Sequence, residues 1–414
     1  MNLKDKIVLV IDNGLFTEQA SRLARDFGKV YYFCPWASAF PKSNLALIGE
    51  GFDGLERILN FWDYVEEADI IFCPDMYSSD LVEYLKSKGY KVAGAGAAEI
   101  LELNRWFGRQ VQERVGLPTQ KTVRVKSLGE LRELLKETEN KFVKFNTFRG
   151  EIETFKHIDY ESSLPLLDHL AYELGPKQDK VEFIVEDEVE GVEPGGDMIV
   201  FGDHYLSPTM YGYEFKGMGY LGRVCSYEET PKPVKLVHDK LLPVFQHYNT
   251  HFFISLEMRI DKNATPYLID YTIRMAAPVV SAVQVELIEN FSEVVWGLAT
   301  GEEIQPKISY KYAGGVVLES EWAQDHWTKV NFPPEIRRWI KLRMAAKFGD
   351  DYYTVPGFPS LCSVIALGNS IEEVIEQVKK RTQEVQAYLI QRNLSGMDEI
   401  NEAIEEGRKL GVDF

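Results

Sequence analysis

The first hundred residues alternate short apolar runs with amphipathic stretches, and that alternation constrains the fold more than any other feature. KIVLVI (6–11), KVYYFC (29–34), ADIIFC (68–73) and KVAGAG (91–96) read as buried strands. Between them, helices are expected near 17–27, 53–66 and 79–88. Strand–helix alternation of this kind implies a doubly wound parallel sheet, because parallel neighbours need a crossover. Such sheets bind ligands at the carboxyl ends of their strands. IDNG (11–14) and GAG (94–96) therefore become candidate ligand loops, though neither completes the GxGxxG pattern of a dinucleotide site.

Further along, AEILELNRWFGRQVQERVG (98–116) reads as one helix, which Gly116 and Pro118 close. KTVRV, a helix over 127–138 and KFVKFN (141–146) form a small α+β unit. VEFIVEDEVEG (181–191) is expected to open another sheet that runs through DMIVFGDHYLSP (197–208) to a hairpin at 252–274. A helix near 281–299 follows. From about 305 a last module holds GGVVLES, LCSVIALG, a charged helix over 370–392 and a surface helix over 396–411.

In the hairpin FFISLEMRIDKNATPYLIDYTIR, two apolar runs flank the turn formers DKNATP. A turn centred between Asn263 and Ala264 sets Glu257 opposite Asp270, with Thr272 on the same face as Asp270. Facing like charges destabilise a sheet, so the pair calls for a cation. Mg²⁺ takes oxygen ligands from one or two carboxylates and completes its shell with phosphate oxygens and water. A solvated rim in a register one residue away is the competing reading. Lys144 sits between apolar neighbours in a strand, where desolvation favours a bound anion; a snorkelling lysine at a sheet edge is the alternative. Arg105 and Arg109 share one helix face.

Composition narrows the classes. The chain has 414 residues, 45% apolar and 27% charged, which suits two to four globular domains. Its net charge of −18 argues against a nucleic-acid surface but leaves room for a focused triphosphate site. No apolar run approaches the ~18 residues of a membrane span, and MNLKDKIVLVIDNG lacks a signal-peptide pattern. Four well-separated cysteines (Cys34, Cys73, Cys225, Cys362) and no CxxC suggest buried thiols in a cytoplasmic protein.

Taken in order, these segments resemble the ATP-grasp superfamily, most closely the phosphoribosylamine–glycine ligases. The resemblance spans nearly the whole chain. It rests on LELNRWFGRQVQERVGLPT, FVK (142–144), IVEDEVEGVE (184–193), the hairpin with LIDYTIRMAAP, and CSVIALGNSIEEVIEQVKKRTQEVQAY (362–388). It implies an N-terminal α/β domain (1–103), two ATP-clasping subdomains (104–188 and 189–304) and a small C-terminal α+β domain (305–414). It further implies a ligase that uses ATP with Mg²⁺, or Mn²⁺, to join a small carboxylate to an amine through an acyl phosphate. Arg105 and Lys144 would hold phosphates; Glu186, the Val189 main chain and Glu193 would hold the nucleoside. Glu257, Asp270 and Thr272 would hold the metal, and Arg274 the transferred phosphoryl group. TFRGEIETF (147–155) would be the lid, with Gly150 as its flexible point and Arg149 as its cation; a plain surface loop is the other reading.

The match has departures. Thr272 stands where the family has asparagine, and the lid carries Arg149 and Glu151 in place of a glycine-rich, lysine-bearing loop. IDNGLFTEQA (11–20) has no cation to grip a phosphoribosyl group, so phosphoribosylamine is not the expected substrate. In YEFKGMGYLGRV (213–224), Lys216 and Arg223 either bind an acidic substrate or border a glycine turn. Two other outcomes fit the same residues: a nucleotide-binding protein that has lost the chemistry, and a phosphotransferase that stops at the phosphorylated product. Nothing in the sequence fixes the oligomeric state.

Overall fold

A computed structural model of the chain describes residues 2–35, 47–147, 154–215 and 219–414. The N-terminal sheet is parallel throughout. Its five strands lie in the order Leu55–Ile58, Lys29–Phe33, Ile7–Ile11, Ile70–Cys73, Val92–Gly94. Chain direction across the sheet reverses between Ile7–Ile11 and Ile70–Cys73, so the loops after these two strands flank the switch-point crevice.

One expectation fails here. Residues 53–66, read as a helix, form the edge strand Leu55–Ile58 and a short 3₁₀ turn, Phe61–Asp63. The apolar spacing of LERILNFW suits a helix, but Gly54 adopts φ +78°, where a Cβ would lie 2.8 Å from that of Ala24, and the next residues run along the open edge of Lys29–Phe33. An unpaired sheet edge outweighs local periodicity.

The stretch 98–116 is also not one helix. It breaks at Asn104 into Ile100–Leu103 and Arg105–Arg114. Asn104 leaves helical geometry, and its side chain accepts the Phe107 N–H as an N-cap. The freed N–H groups of Arg105 and Trp106 then donate to the carbonyl and side-chain oxygens of Asn146, at 3.0 and 2.7 Å. Asn146 follows the strand Lys141–Phe145, so this cap docks the arginine helix onto the strand that carries Lys144.

A four-stranded sheet comes next, in the order Thr122–Val125, Phe183–Asp187, Lys141–Phe145, Thr154–His157, and every pairing is antiparallel. VEFIVEDEVEG therefore does not open the following sheet; its strand sits inside this one. Val143, Phe145, Phe183 and Val185 pack one face against the helices Leu128–Lys136 and Tyr160–Leu174. By alternation, Lys144 and Glu186 project from the other face.

The largest sheet has nine strands and carries the hairpin His251–Ile260/Pro266–Thr272 at one edge. Strands Tyr312–Glu319, Ser360–Gly368 and Ile340–Leu342 extend it on the far side, so the 305–414 stretch shares a continuous sheet with the hairpin. The expected helix over 281–299 is two, Val279–Leu287 and Phe291–Thr300. The last helix, Ser395–Lys409, buries Met397, Ile400 and Ile404 against the body. Among the described residues, no helix is long and apolar enough to cross a membrane.

Candidate functional site

Glu257 and Asp270 are register partners in the hairpin, as are Ser255 and Thr272. The route to that register was not foreseen. From Ile260/Pro266 to Met258/Leu268 the pairing centres on Asn263, which would set Glu257 opposite Ile269. A β-bulge at Ile269 adds one residue, restores the Glu257–Asp270 pairing and inverts the side-chain parity beyond it. Leu268 and Tyr271 thus both enter the core, and Asp270 and Thr272 share the opposite face.

A bulge also leaves a carbonyl without a ladder partner. The Ile269 oxygen accepts from Lys144 Nζ at 2.9 Å and from Arg109 Nη2 at 2.5 Å. The bulge therefore draws Lys144, 4% exposed, and Arg109 onto the same strand as Asp270. Arg105 donates to the Phe145 carbonyl at 2.6 Å and lies 3.6 Å from Asp270 Oδ2; Lys144 Nζ lies 3.9 Å from the same oxygen. Glu186 is clasped by Arg109 through two hydrogen bonds, accepts from Thr122 Oγ1, and lies 3.6 Å from Lys144. Arg105, Arg109 and Lys144 thus meet Glu186 and Asp270, and Glu257 faces Asp270 across the hairpin. Burial drives the Lys144 ammonium below the ordinary lysine value, against the pull of Asp270 and Glu186. Burial alone would raise the Glu186 carboxyl, but Arg109 and Lys144 outweigh it and hold the group at about 2.

Next to this cluster, the linker 188–193 joins the two sheets. Gly191, at φ +144°, passes so close to Ile260 that a Cβ would lie 2.0 Å from its carbonyl oxygen. Arg259 holds the linker, donating to Glu193 and, at 3.3 Å, to the Val189 carbonyl. Val189 lines an open groove of about 1340 Å³ together with Lys141, Lys156, Asp187 and Tyr267. Glu193 and Glu257 line a smaller cleft with Asp197, Glu214 and Ser255.

Arg274 emerges just past the hairpin. Glu102 orients it, accepting from Arg274 Nε at 3.1 Å and from the Ile273 N–H at 2.7 Å. Of the expected site residues, Arg105, Lys144, Glu186, Asp270 and Arg109 converge, with Glu257 and Thr272 on the adjoining hairpin face. Val189 and Glu193 stand together in the linker. Arg149, Gly150, Glu151 and Lys216 lie outside the described residues. Arg223 donates instead to the Asp413 carbonyl, at 3.4 Å. Among the described residues, no three His, Cys, Asp or Glu side chains converge as a self-sufficient metal cage.

Sequence reasoning missed Asp75, Glu102 and Arg343. Asp75 follows the strand Ile70–Cys73 at the switch point, and that position was a usable signal. Glu102 and Arg343 left none, because each acts through tertiary contacts.

Parallel sheet, clasping antiparallel sheets and acidic hairpin together make the ATP-grasp fold. Solved structures bear this out. Phosphoribosylamine–glycine ligase from Thermotoga maritima superposes with a TM-score of 0.71 at 19% identity, covering 92% of this chain and 98% of that one. The biotin carboxylase domain of 2-oxoglutarate carboxylase from Hydrogenobacter thermophilus, solved with MgADP and bicarbonate, gives 0.68 at 13% identity, covering 99% and 96%. L-amino acid ligase from Bacillus licheniformis gives 0.64 at 16%, covering 93% and 98%. At such identities the likeness defines the fold and not the reaction. No family model matches the sequence, and no curated protein matches it.

Proposed function

We propose that the protein is an ATP-dependent ligase that joins a small carboxylate to an amine through an acyl phosphate. One observation carries the reading: buried Lys144 and Arg105 converge on Asp270, which faces Glu257 across the hairpin. Buried cations beside the hairpin suit an anionic ligand. Facing carboxylates beside them suit a hard divalent cation that also takes phosphate oxygens. In this reading the chain divides into segments 1–103, 104–188, 189–304 and 305–414, with nucleotide between the second and third.

Lys144 and Arg105 hold the phosphates, the Val189 main chain and Glu193 meet the nucleoside, and Arg274 steadies the transferred group. Glu186 serves by fixing Arg109 and Lys144, in addition to any contact with the base. Glu257, Asp270 and Thr272 hold the metal, which when bound supplies charge neutralisation at the phosphates. Phosphoryl transfer depends chiefly on such positioning and neutralisation. The substrate carboxylate oxygen bonds to the γ-phosphorus as the bridge to ADP breaks. The amine nitrogen then bonds to the acyl carbon, inorganic phosphate leaves, and the nitrogen releases a proton.

The similar solved structures include a phosphoribosylamine–glycine ligase and an L-amino acid ligase, and this supports the class without fixing the substrates. The test is ADP release over a matrix of carboxylates and amines. Release that requires both substrates is expected. Release without an amine would make the protein a phosphotransferase, and nucleotide binding without turnover on any pair would make it a degenerate relative.

A further inference from the structure

The last helix, Ser395–Lys409, bears no residue pattern that points to chemistry, yet its end reaches the groove beside the linker 188–193. Met397, Ile400 and Ile404 recur at helical spacing and are buried. They seat the helix on the strands Thr209–Phe215 and Gly219–Cys225. Two glycines set how closely it lies. A Cβ at Gly396 would meet the Phe215 side chain at 2.8 Å, and one at Gly407 would lie 1.8 Å from Tyr213 Oη.

Beyond the helix the chain turns back on itself. The Leu410 and Val412 N–H groups both donate to the Gly407 carbonyl at 2.9 Å, and Gly411 takes φ +85°. Tyr211 Oη donates to the Asp413 carbonyl, and the Phe414 ring packs on Tyr211, Tyr213 and Tyr312. Leu410 is therefore fixed from both sides, half-buried, at the rim of the groove that Val189 and Tyr267 also line. These three apolar side chains come from three places: the linker, the hairpin and the end of the last helix.

Five lysines and six carboxylates line the same groove, and Lys141–Asp187 and Lys156–Glu188 are ion pairs among them. The groove thus has no strong sign with which to hold phosphates, unlike the region around Lys144 and Arg105. Half-buried apolar side chains ringed by polar groups suit a flat, neutral ring with a polar edge.

Resting on the nucleotide reading above, we propose that Leu410 forms a third wall of the nucleoside site and packs against the base beside Val189 and Tyr267. The last helix is then a binding element, and an occupied site ties the end of the chain to the linker. The phosphates stay with Lys144 and Arg105, so Leu410 acts on the base alone.

The test uses the full-length protein with Mg²⁺ and titrates ADP and inorganic tripolyphosphate by calorimetry. ADP brings a base; tripolyphosphate brings only charge. L410D should weaken ADP about tenfold, because a carboxylate replaces the apolar contact, and leave tripolyphosphate within about twofold. L410A, the smaller change, should weaken ADP about threefold. Hydrogen exchange on the wild type needs no variant: ADP should slow the amides of 404–412, and tripolyphosphate should not. Equal ADP affinity in wild type and both variants, parallel loss of ADP and tripolyphosphate, or unchanged exchange over 404–412 with ADP bound would overturn the proposal. Failure of the wild type to bind ADP at millimolar concentration would overturn the nucleotide reading beneath it, a result in which the variants play no part.

Discussion

Replacing Glu186 with glutamine separates a structural carboxylate from one that serves the nucleotide. Glu186 is 2% exposed, and Arg109 and Lys144 hold its carboxyl at about 2 against the ordinary 4.5. At about 1.4 kcal/mol per pH unit, that gap corresponds to about 3 kcal/mol of stability at neutral pH. The figure agrees with the ~3–5 kcal/mol lost when one partner of a buried ion pair is removed. Because the folded value lies below the unfolded one, the contribution is complete above about pH 4.5 and disappears as pH falls toward about 2. E186Q should lower the thermal midpoint at pH 7 by roughly 6–12 °C, taking ~2–4 °C per kcal/mol for a domain of this size. The gap between variant and wild type should narrow below pH 4. Nucleotide affinity should hold or rise, because the cluster gains a net positive charge. A midpoint shift under 2 °C, or affinity lost with stability intact, would refute this assignment.

Other outcomes follow from the same geometry. D270N should remove at least tenfold of the Mg²⁺-dependent part of nucleotide affinity, about 1.4 kcal/mol, and leave the Mg²⁺-free affinity unchanged or raised, because Arg105 and Lys144 lose a competing carboxylate; equal isotherms for variant and wild type would dismiss Asp270 as a metal ligand. K144M should abolish most nucleotide binding and also lower stability, since Glu186, Asp270 and the Ile269 carbonyl lose a buried partner; binding at wild-type strength would show that Lys144 meets no phosphate. G191A should destabilise by about 1–3 kcal/mol, because its Cβ would overlap the Ile260 carbonyl and Gly191 holds a positive φ. An unchanged melting curve for G191A would count against the tight linker crossing.

By itself the sequence determined the layers and much of the charged constellation. Parallel strands in the first hundred residues announce themselves as unbroken apolar runs, since both faces are buried. Lys144 stood out because a lysine between apolar strand neighbours is unusual; the Glu257–Asp270 pairing was expected from the turn formers, but the bulge at Ile269 is what delivers it. Local pattern sufficed wherever one residue's neighbours in sequence are also its neighbours in space. Other features were decided in three dimensions. Residues 55–58 became a strand because a sheet edge was open, and Phe183–Asp187 joined the small sheet because Lys141–Phe145 and Thr122–Val125 lay on either side. The bulge at Ile269 set the parity of Asp270 and offered Lys144 and Arg109 a carbonyl. Asp75, Glu102 and Arg343 acquired meaning only when folding brought them around Arg274, from segments up to about 270 residues apart. A chain can encode its periodicities residue by residue, but the sign of a buried cluster depends on which distant charges the finished packing excludes from water.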